Sequence, residues 1–214
     1  MGRFLIGFLL TFGLVTSVTS PVLALDFFMR KSNDGVLYAS GDFEVGDSAK
    51  LKKYLRKARQ KPHTAWLESP GGVSVEGLLV GKTFRNYGLA THIPAKSDCA
   101  SACVLAFIGG VIRSKHPAGR LGVHNGSMAF SDEYIDELKE VLLDDDMNID
   151  DKLRIITILA ETATARSMAL KANYVQIMGV SMQVLFPSTE TLHTDIDWLS
   201  DKELRQYNVI NLVN

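Results

Sequence analysis

Cys99-Ala100-Ser101-Ala102-Cys103-Val104-Leu105 sets one serine among small residues, between two cysteines, at the entry to the apolar run Val104 to Val111. Small residues leading into an apolar run read as a tight turn opening a buried helix, with Ser101 at its start. Serine at such a position is ordinarily a helix cap. It becomes a nucleophile only where an imidazole reaches its hydroxyl and backbone N–H groups await the oxyanion. Candidates for both lie nearby. Downstream, the short run Leu121-Gly122-Val123 ends on His124. Upstream, Trp66-Leu67-Glu68-Ser69-Pro70-Gly71-Gly72 reads as a strand breaking into a glycine turn, where no side chain obstructs a backbone donor.

Around these stretches the pattern alternates. Val36 to Ser40 predicts a strand closed by Gly41-Asp42, and Leu51, Tyr54, Leu55 and Ala58 recur at helical spacing. The opposite face of that helix carries Lys50, Lys52, Lys53, Arg56, Lys57 and Arg59, a stripe that solvation accounts for and that would also attract an anionic surface. Thr64 to Leu67 reads as a strand, Val75 to Phe84 as a helix, Leu89 to Ile93 and Gly119 to Val123 as further strands. Strand, helix, strand, helix, strand, helix, strand up to His124 predicts an α/β arrangement with a mainly parallel sheet. From Ser131 to about Met178 the spacing turns helical, through Ile135, Leu138, Val141 and Leu142, then Leu153, Ile156, Leu159 and Ala160. The acidic run Asp144 to Asp151 superficially resembles a calcium loop, but Ile149 stands where glycine is required and Ile155 where a bidentate carboxylate is required. It reads as an acidic turn capping the next helix. Ser200 and Glu203 have capping-box spacing.

Ser69-Pro70-Gly71-Gly72 after a strand, Ala100-Ser101 opening an apolar helix, and Gly122-Val123-His124 ending a later strand share the order and spacing of one known family. In these motifs the chain resembles the proteolytic subunit of the Clp protease, within the ClpP/crotonase superfamily. The resemblance spans roughly residues 35–123, His124, and more loosely 198–210; the segment 131–178 is unlike that family. It implies a spiral of ββα units, here with a helical segment in the C-terminal half. It also implies Ser101 as nucleophile, His124 as base, the N–H groups of Gly71 and Ala102 as oxyanion donors, and a substrate strand laid along Gly72, Val73 and Ser74. For the residue that orients the histidine, the register set by Leu199-Ser200 and Glu203 puts Ile196 in the family's aspartate position, with Asp195 and Asp197 on either side. Asp195 is favoured, Asp197 being the alternative because it adjoins Trp198; a Ser-His pair without an orienting acid is the remaining possibility. The family's activity implies peptides or unfolded proteins as substrate, a homo-oligomer, and neither cofactor nor metal. Crotonase-like acyl-thioester chemistry and a peptide-binding module with a decayed site are the competing readings.

The N-terminus predicts export. Arg3, the apolar stretch Phe4 to Val15 and Val22-Leu23-Ala24 make the three parts of a signal peptide over residues 1–24, leaving 25–214 as a single domain. The apolar stretch is short for a membrane span of about 20 residues. Outside the cytosol, in a bacterial periplasm or secreted, an ATP-dependent unfoldase partner is not expected. With 46% hydrophobic residues, 22% charged and a net charge of -1, disorder and a nucleic-acid footprint are both disfavoured. Export also permits oxidation of the only two cysteines. At i, i+4 spacing near a helix start their Cα atoms would lie about 6 Å apart, within reach of a disulfide. Either Cys99 and Cys103 bridge, pinning the backbone at Ser101, or they are two buried thiols.

Overall fold

The computed structural model describes residues 24–30, 34–126 and 132–212. The expected signal peptide therefore lies outside the described residues up to position 23, and Ala24 forms a bridge to Asp42.

In chain order the first half runs β1 (Asp26–Met29), β2 (Val36–Ser40), α1 (Asp47–Lys57), β3 (Thr64–Glu68), α2 (Ser74–Asn86), β4 (Ala90–Ile93), β5 (Asp98–Ala100) and α3 (Ala102–Phe107). Then follow β6 (Arg113–Lys115), β7 (Arg120–Val123), α4 (Asp132–Leu142), α5 (Ile149–Ile177), α6 (Leu185–Glu190), β8 (Asp197–Trp198) and α7 (Asp201–Gln206). A five-stranded sheet has the order β1-β2-β3-β4-β6, parallel throughout except for the antiparallel β1 edge. Strand alternation decides which face is covered: Leu37, Ala39, Ala65, Leu67 and Ile93 point into the core under α1, α2 and α3, while Tyr38, Trp66 and His92 sit half-buried on the other side.

The sequence predicted one sheet, and the structure has two. β5, β7 and β8 form a separate three-stranded sheet, with β5 parallel to β7 and β8 antiparallel to it. β5 and β6 have three residues each, too few for alternation to register in the sequence. The helix opened at Ser101 ends at Phe107, and just beyond it Gly109 lies against the backbone of Gly81 and Gly110 against Thr91, where an added Cβ would fall 2.1 and 2.3 Å from the nearest atom.

Three polar devices lock the helices. The Glu76 carboxylate, on α2, accepts the N–H groups of Gly46 at 3.0 Å and Ser48 at 2.8 Å, capping α1 from outside its own sequence. Burial by itself would raise that carboxyl's pKa, but these two donors win and hold it below the usual glutamate value. Arg113 is buried and donates to the carbonyls of Val209, Asn208, Gly110 and Met178. Arg85 donates to the carbonyls of Gly109, Ile108, Gly110 and Met178. Together these guanidinium groups satisfy carbonyls just past the C-terminal ends of α3 and α5 and hold the two helix ends together. Tyr174 of α5 completes the junction by donating its hydroxyl to the Leu105 carbonyl at 2.7 Å.

Candidate active site

Ser101 occupies the single residue between β5 and α3, at φ 55 and ψ -119. That backbone conformation is unfavourable for any residue with a Cβ and persists only where its surroundings impose it. Here they do. The Ser101 N–H donates to the Gly122 carbonyl at 3.0 Å, and its own carbonyl accepts the Val104 N–H at 3.0 Å. The disulfide Cys99–Cys103 closes over the turn, with Cα atoms 5.2 Å apart and both residues buried. It joins a strand to the first turn of a helix, at the helix start where the sequence spacing had allowed a bridge.

Parallel pairing of β5 with β7 sets Ala100 against Gly122, so Ser101 and His124 leave the same ends of neighbouring strands. Both line a pocket of about 40 Å³, walled by Val104, Val175 and Leu185 among others. The His124 carbonyl is anchored by the Ser188 hydroxyl at 3.0 Å. Its ring Nδ1 is buried and has no hydrogen-bond partner among the described residues. Burial first, then the charge of Lys171 and the ring of His193, push the His124 pKa below the usual histidine value; the nearby carbonyls of His193 and Asn125 oppose this more weakly. No hydrogen bond joins Ser101 to His124 among the described residues.

The orienting acid is not brought to the ring. β8 pairs Val123 with Asp197 and Gly122 with Trp198, which carried one residue further sets Ile196 level with His124, as the sequence register had it. Asp195 and Asp197 are both exposed, and neither bonds to the imidazole.

Gly71 is packed directly on Ser101: a Cβ there would fall 2.6 Å from the serine Cβ, and φ is 119. Its N–H, expected to serve the oxyanion, donates to the Ser69 hydroxyl at 3.1 Å. The Ala102 N–H is the first of α3 and has no carbonyl within that helix to bond. Along the expected substrate strand, the Gly71 carbonyl accepts from Phe43 at 2.7 Å and the Val73 N–H donates to Phe43 at 2.8 Å, so one side of that edge is occupied. Ser74 lines the pocket.

One residue of the site escaped the sequence reading. Lys171 on α5 is 8% exposed and lines the same pocket as Ser101 and His124. Burial lowers its pKa. Its signal was available: Met168, Lys171, Val175 and Met178 share one stripe at helical spacing, and a lysine on an apolar stripe must face something polar or functional.

No protein-family model matches the chain, and no curated protein matches it. Solved structures do. A serine-to-alanine variant of the 1510-N membrane-bound stomatin-specific protease is 15% identical, with a TM-score of 0.52 over 81% of this chain and 75% of that one. A lysine-to-alanine variant of the 1510-N membrane-bound stomatin-specific protease, in complex with a substrate peptide, is 15% identical with a TM-score of 0.51 over 81% and 71%. A ClpP1 variant from Listeria monocytogenes is 17% identical with a TM-score of 0.50 over 84% and 91%. At these identities the likeness establishes the fold, which is of the ClpP/crotonase type.

Proposed function

We propose that this chain is an exported serine peptidase that hydrolyses peptides or unfolded protein segments without ATP. The observation that carries the reading is the backbone of Ser101, held at φ 55 and ψ -119 against Gly71, with His124 on the adjoining strand of the same pocket. Strain of this kind clusters at active sites, where the surrounding structure holds a reacting group in place. In the reaction, His124 takes the Ser101 proton as the oxygen attacks the peptide carbonyl, then returns it to the leaving amine. The Ala102 N–H receives the developing oxyanion, and the Gly71 N–H joins it by exchanging the Ser69 hydroxyl for that oxygen. Water, deprotonated by His124, then releases the acyl group from Ser101. The structural neighbours that are named as proteases support this class of activity. Export is supported by the pattern of residues 1–24 and by the disulfide. Residues 25–214 act as one domain, in a homo-oligomer.

A second reading, a peptide-binding module with a decayed site, is favoured by the unpartnered Nδ1 of His124 and by the exposed positions of Asp195 and Asp197. A fluorophosphonate probe separates the two. Labelling at Ser101, with peptide hydrolysis lowered about a thousandfold or more by Ser101→Ala and by His124→Ala, is the expected result. A folded chain that neither reacts with the probe nor cleaves peptides is the binding module.

A further inference from the structure

We infer that the outward half of α1 is a docking surface for a second copy of this chain, whose acidic turn after α4 seats on it. This goes beyond the peptidase reading, which names a homo-oligomer and no contact that builds one.

The charge of the chain is sorted along its length. Of its 23 basic and 24 acidic residues, residues 47–61 hold seven and one, residues 132–151 hold one and ten, and fifteen and thirteen are left for everything else. A net charge of -1 therefore conceals one strongly positive and one strongly negative stretch. All seven cations of the first and all ten acids of the second are exposed. Among the described residues, Lys50 alone of the seven has an ion pair, to Asp26 at 3.4 Å, and Lys139–Asp136 is the one ion pair of the acidic stretch. No ion pair among them joins one stretch to the other. Lys52–Arg56 and Lys53–Lys57 are like-charge pairs at i, i+4, as are Asp132–Asp136, Glu133–Glu137 and Asp136–Glu140, and each costs its helix stability. Water screens that repulsion; an opposite charge set against it turns it into attraction.

Shape agrees with charge. Half-buried Tyr54 and Ala58 floor a shallow cleft of about 390 Å³ on α1, with Lys50, Lys53 and Lys57 around it. The acidic turn is its converse. Leu143, 76% exposed, stands just past the end of α4 and directly before Asp144, Asp145 and Asp146. The turn holds its own shape, since the Asp146 N–H donates to the Asp144 carboxylate at 2.9 Å and Lys152 donates to the Leu142 carbonyl at 2.8 Å. An apolar knob collared by carboxylates thus matches an apolar floor rimmed by ammonium groups: Leu143 enters the cleft, and Asp145 and Asp146 pair with Lys53 and Lys57. An anionic lipid surface would answer the cations and leave the acidic turn unanswered, whereas a second copy answers both. Because the two surfaces lie on different parts of the chain, copies exchange them in pairs about a twofold axis or pass them round a ring.

Charge reversal followed by mixing tests this. Lys53→Glu with Lys57→Glu, and separately Asp145→Lys with Asp146→Lys, replace exposed side chains and should leave the melting temperature within a few degrees of the wild type's. By light scattering and sedimentation of the full chain, each variant should dissociate at a concentration about tenfold or more above that of the wild type. Their equimolar mixture should assemble within about threefold of the wild type, because each reversed surface then meets its opposite on the other variant. Assembly unchanged in both variants, or lost in the mixture as well as in each alone, overturns the inference. Should a reversed variant fail to fold, Lys53→Gln with Lys57→Gln removes the same charges without reversing them and must weaken assembly in the same direction. An α1 variant that keeps its mass but no longer sediments with phosphatidylglycerol vesicles that carry down the wild type would make α1 a membrane face, and the inference falls. Peptide hydrolysis and probe labelling of Ser101 read the peptidase proposal separately: a chain that assembles in this way without cleaving peptides leaves the contact standing, and an active monomer removes the contact alone.

Discussion

Ser101 carries its role in its backbone as much as in its hydroxyl. A positive φ with ψ -119 costs a non-glycine residue about 1–3 kcal/mol, and a glycine much less. Ser101→Gly should therefore unfold at a higher temperature than Ser101→Ala, by the equivalent of about 1 kcal/mol, although both remove the same hydroxyl. Equal melting temperatures would mean that the turn is not strained. At His124 the sign of the pH response follows from its surroundings. Only the neutral ring can accept a proton, and burial with the nearby Lys171 keeps it neutral to lower pH than an ordinary histidine. Activity should hold as the pH falls through about 6.5 and be lost below it, and Lys171→Met should move that limb upward. The same depression makes stability decline as pH falls from about 6.5 toward the folded pKa, since there the unfolded chain binds the proton more readily. A pH–rate limb centred above 6.5 would contradict this account. Ser101, Gly71 and His124 were legible in the sequence because each sits where one pattern breaks into another. Lys171 was not singled out, because its burial depends on docking of the last third of α5 against α3, and periodicity reports a face without reporting what covers it.

The turn β5–Ser101–α3 is the element on which the site depends, and its disulfide is what distinguishes it from an ordinary strand-to-helix turn. The sequence spacing allowed the bridge for a reason that the structure replaces: Cys99 ends up in a strand paired to β7, and Cys103 in the first helical turn, so the bond spans the nucleophile. A loop this short gains little unfolded-state entropy from closure. Its effect falls on geometry, since the Ala102 N–H between the two cysteines must stay aimed at the oxyanion. Denatured, unreduced chain should show no free thiol by a chromogenic thiol assay, and reduction under native conditions should lower activity more than it lowers the melting temperature. Two thiols per chain would remove the bridge; full activity after complete reduction would remove its role. The flanking elements show how far local pattern reaches. α1 was readable from Leu51 and Leu55, and α2 as a helical span whose buried side was read at Leu78, Leu79 and Thr83 where the structure buries Val80, Thr83 and Phe84, whereas the cap of α1 by Glu76 and the ties made by Arg85 and Arg113 join residues far apart in the chain.

At the scale of the molecule, the chain divides into a packed α/β body and helices that bury almost nothing against it. α4 has no buried residue, and in α5 only Lys171, Tyr174 and Val175 are buried, all near its C-terminal end. Leu142, Leu143, Ile149 and Leu153 are between 51% and 76% exposed. Helices in water are stabilised chiefly by packing an apolar face, and this face finds no cover among the described residues. We expect a second copy to cover it, which agrees with the homo-oligomer implied by the family resemblance and gives the segment 131–178, unlike that family in sequence, a part to play. The amphipathic spacing of Leu138, Val141, Leu142, Leu153 and Ile156 was visible from the start; the partner was not, since an apolar stripe is the same string of residues whether it meets its own domain or another molecule. Light scattering at assay concentration should return a mass of at least two chains. Ile149→Glu combined with Leu153→Glu, four residues apart on one side of α5, should reduce it toward one, while leaving fluorophosphonate labelling of Ser101 intact, because neither residue lines the pocket. A wild-type monomer would sink the expectation, and a double variant that keeps its full mass would move the interface off this face.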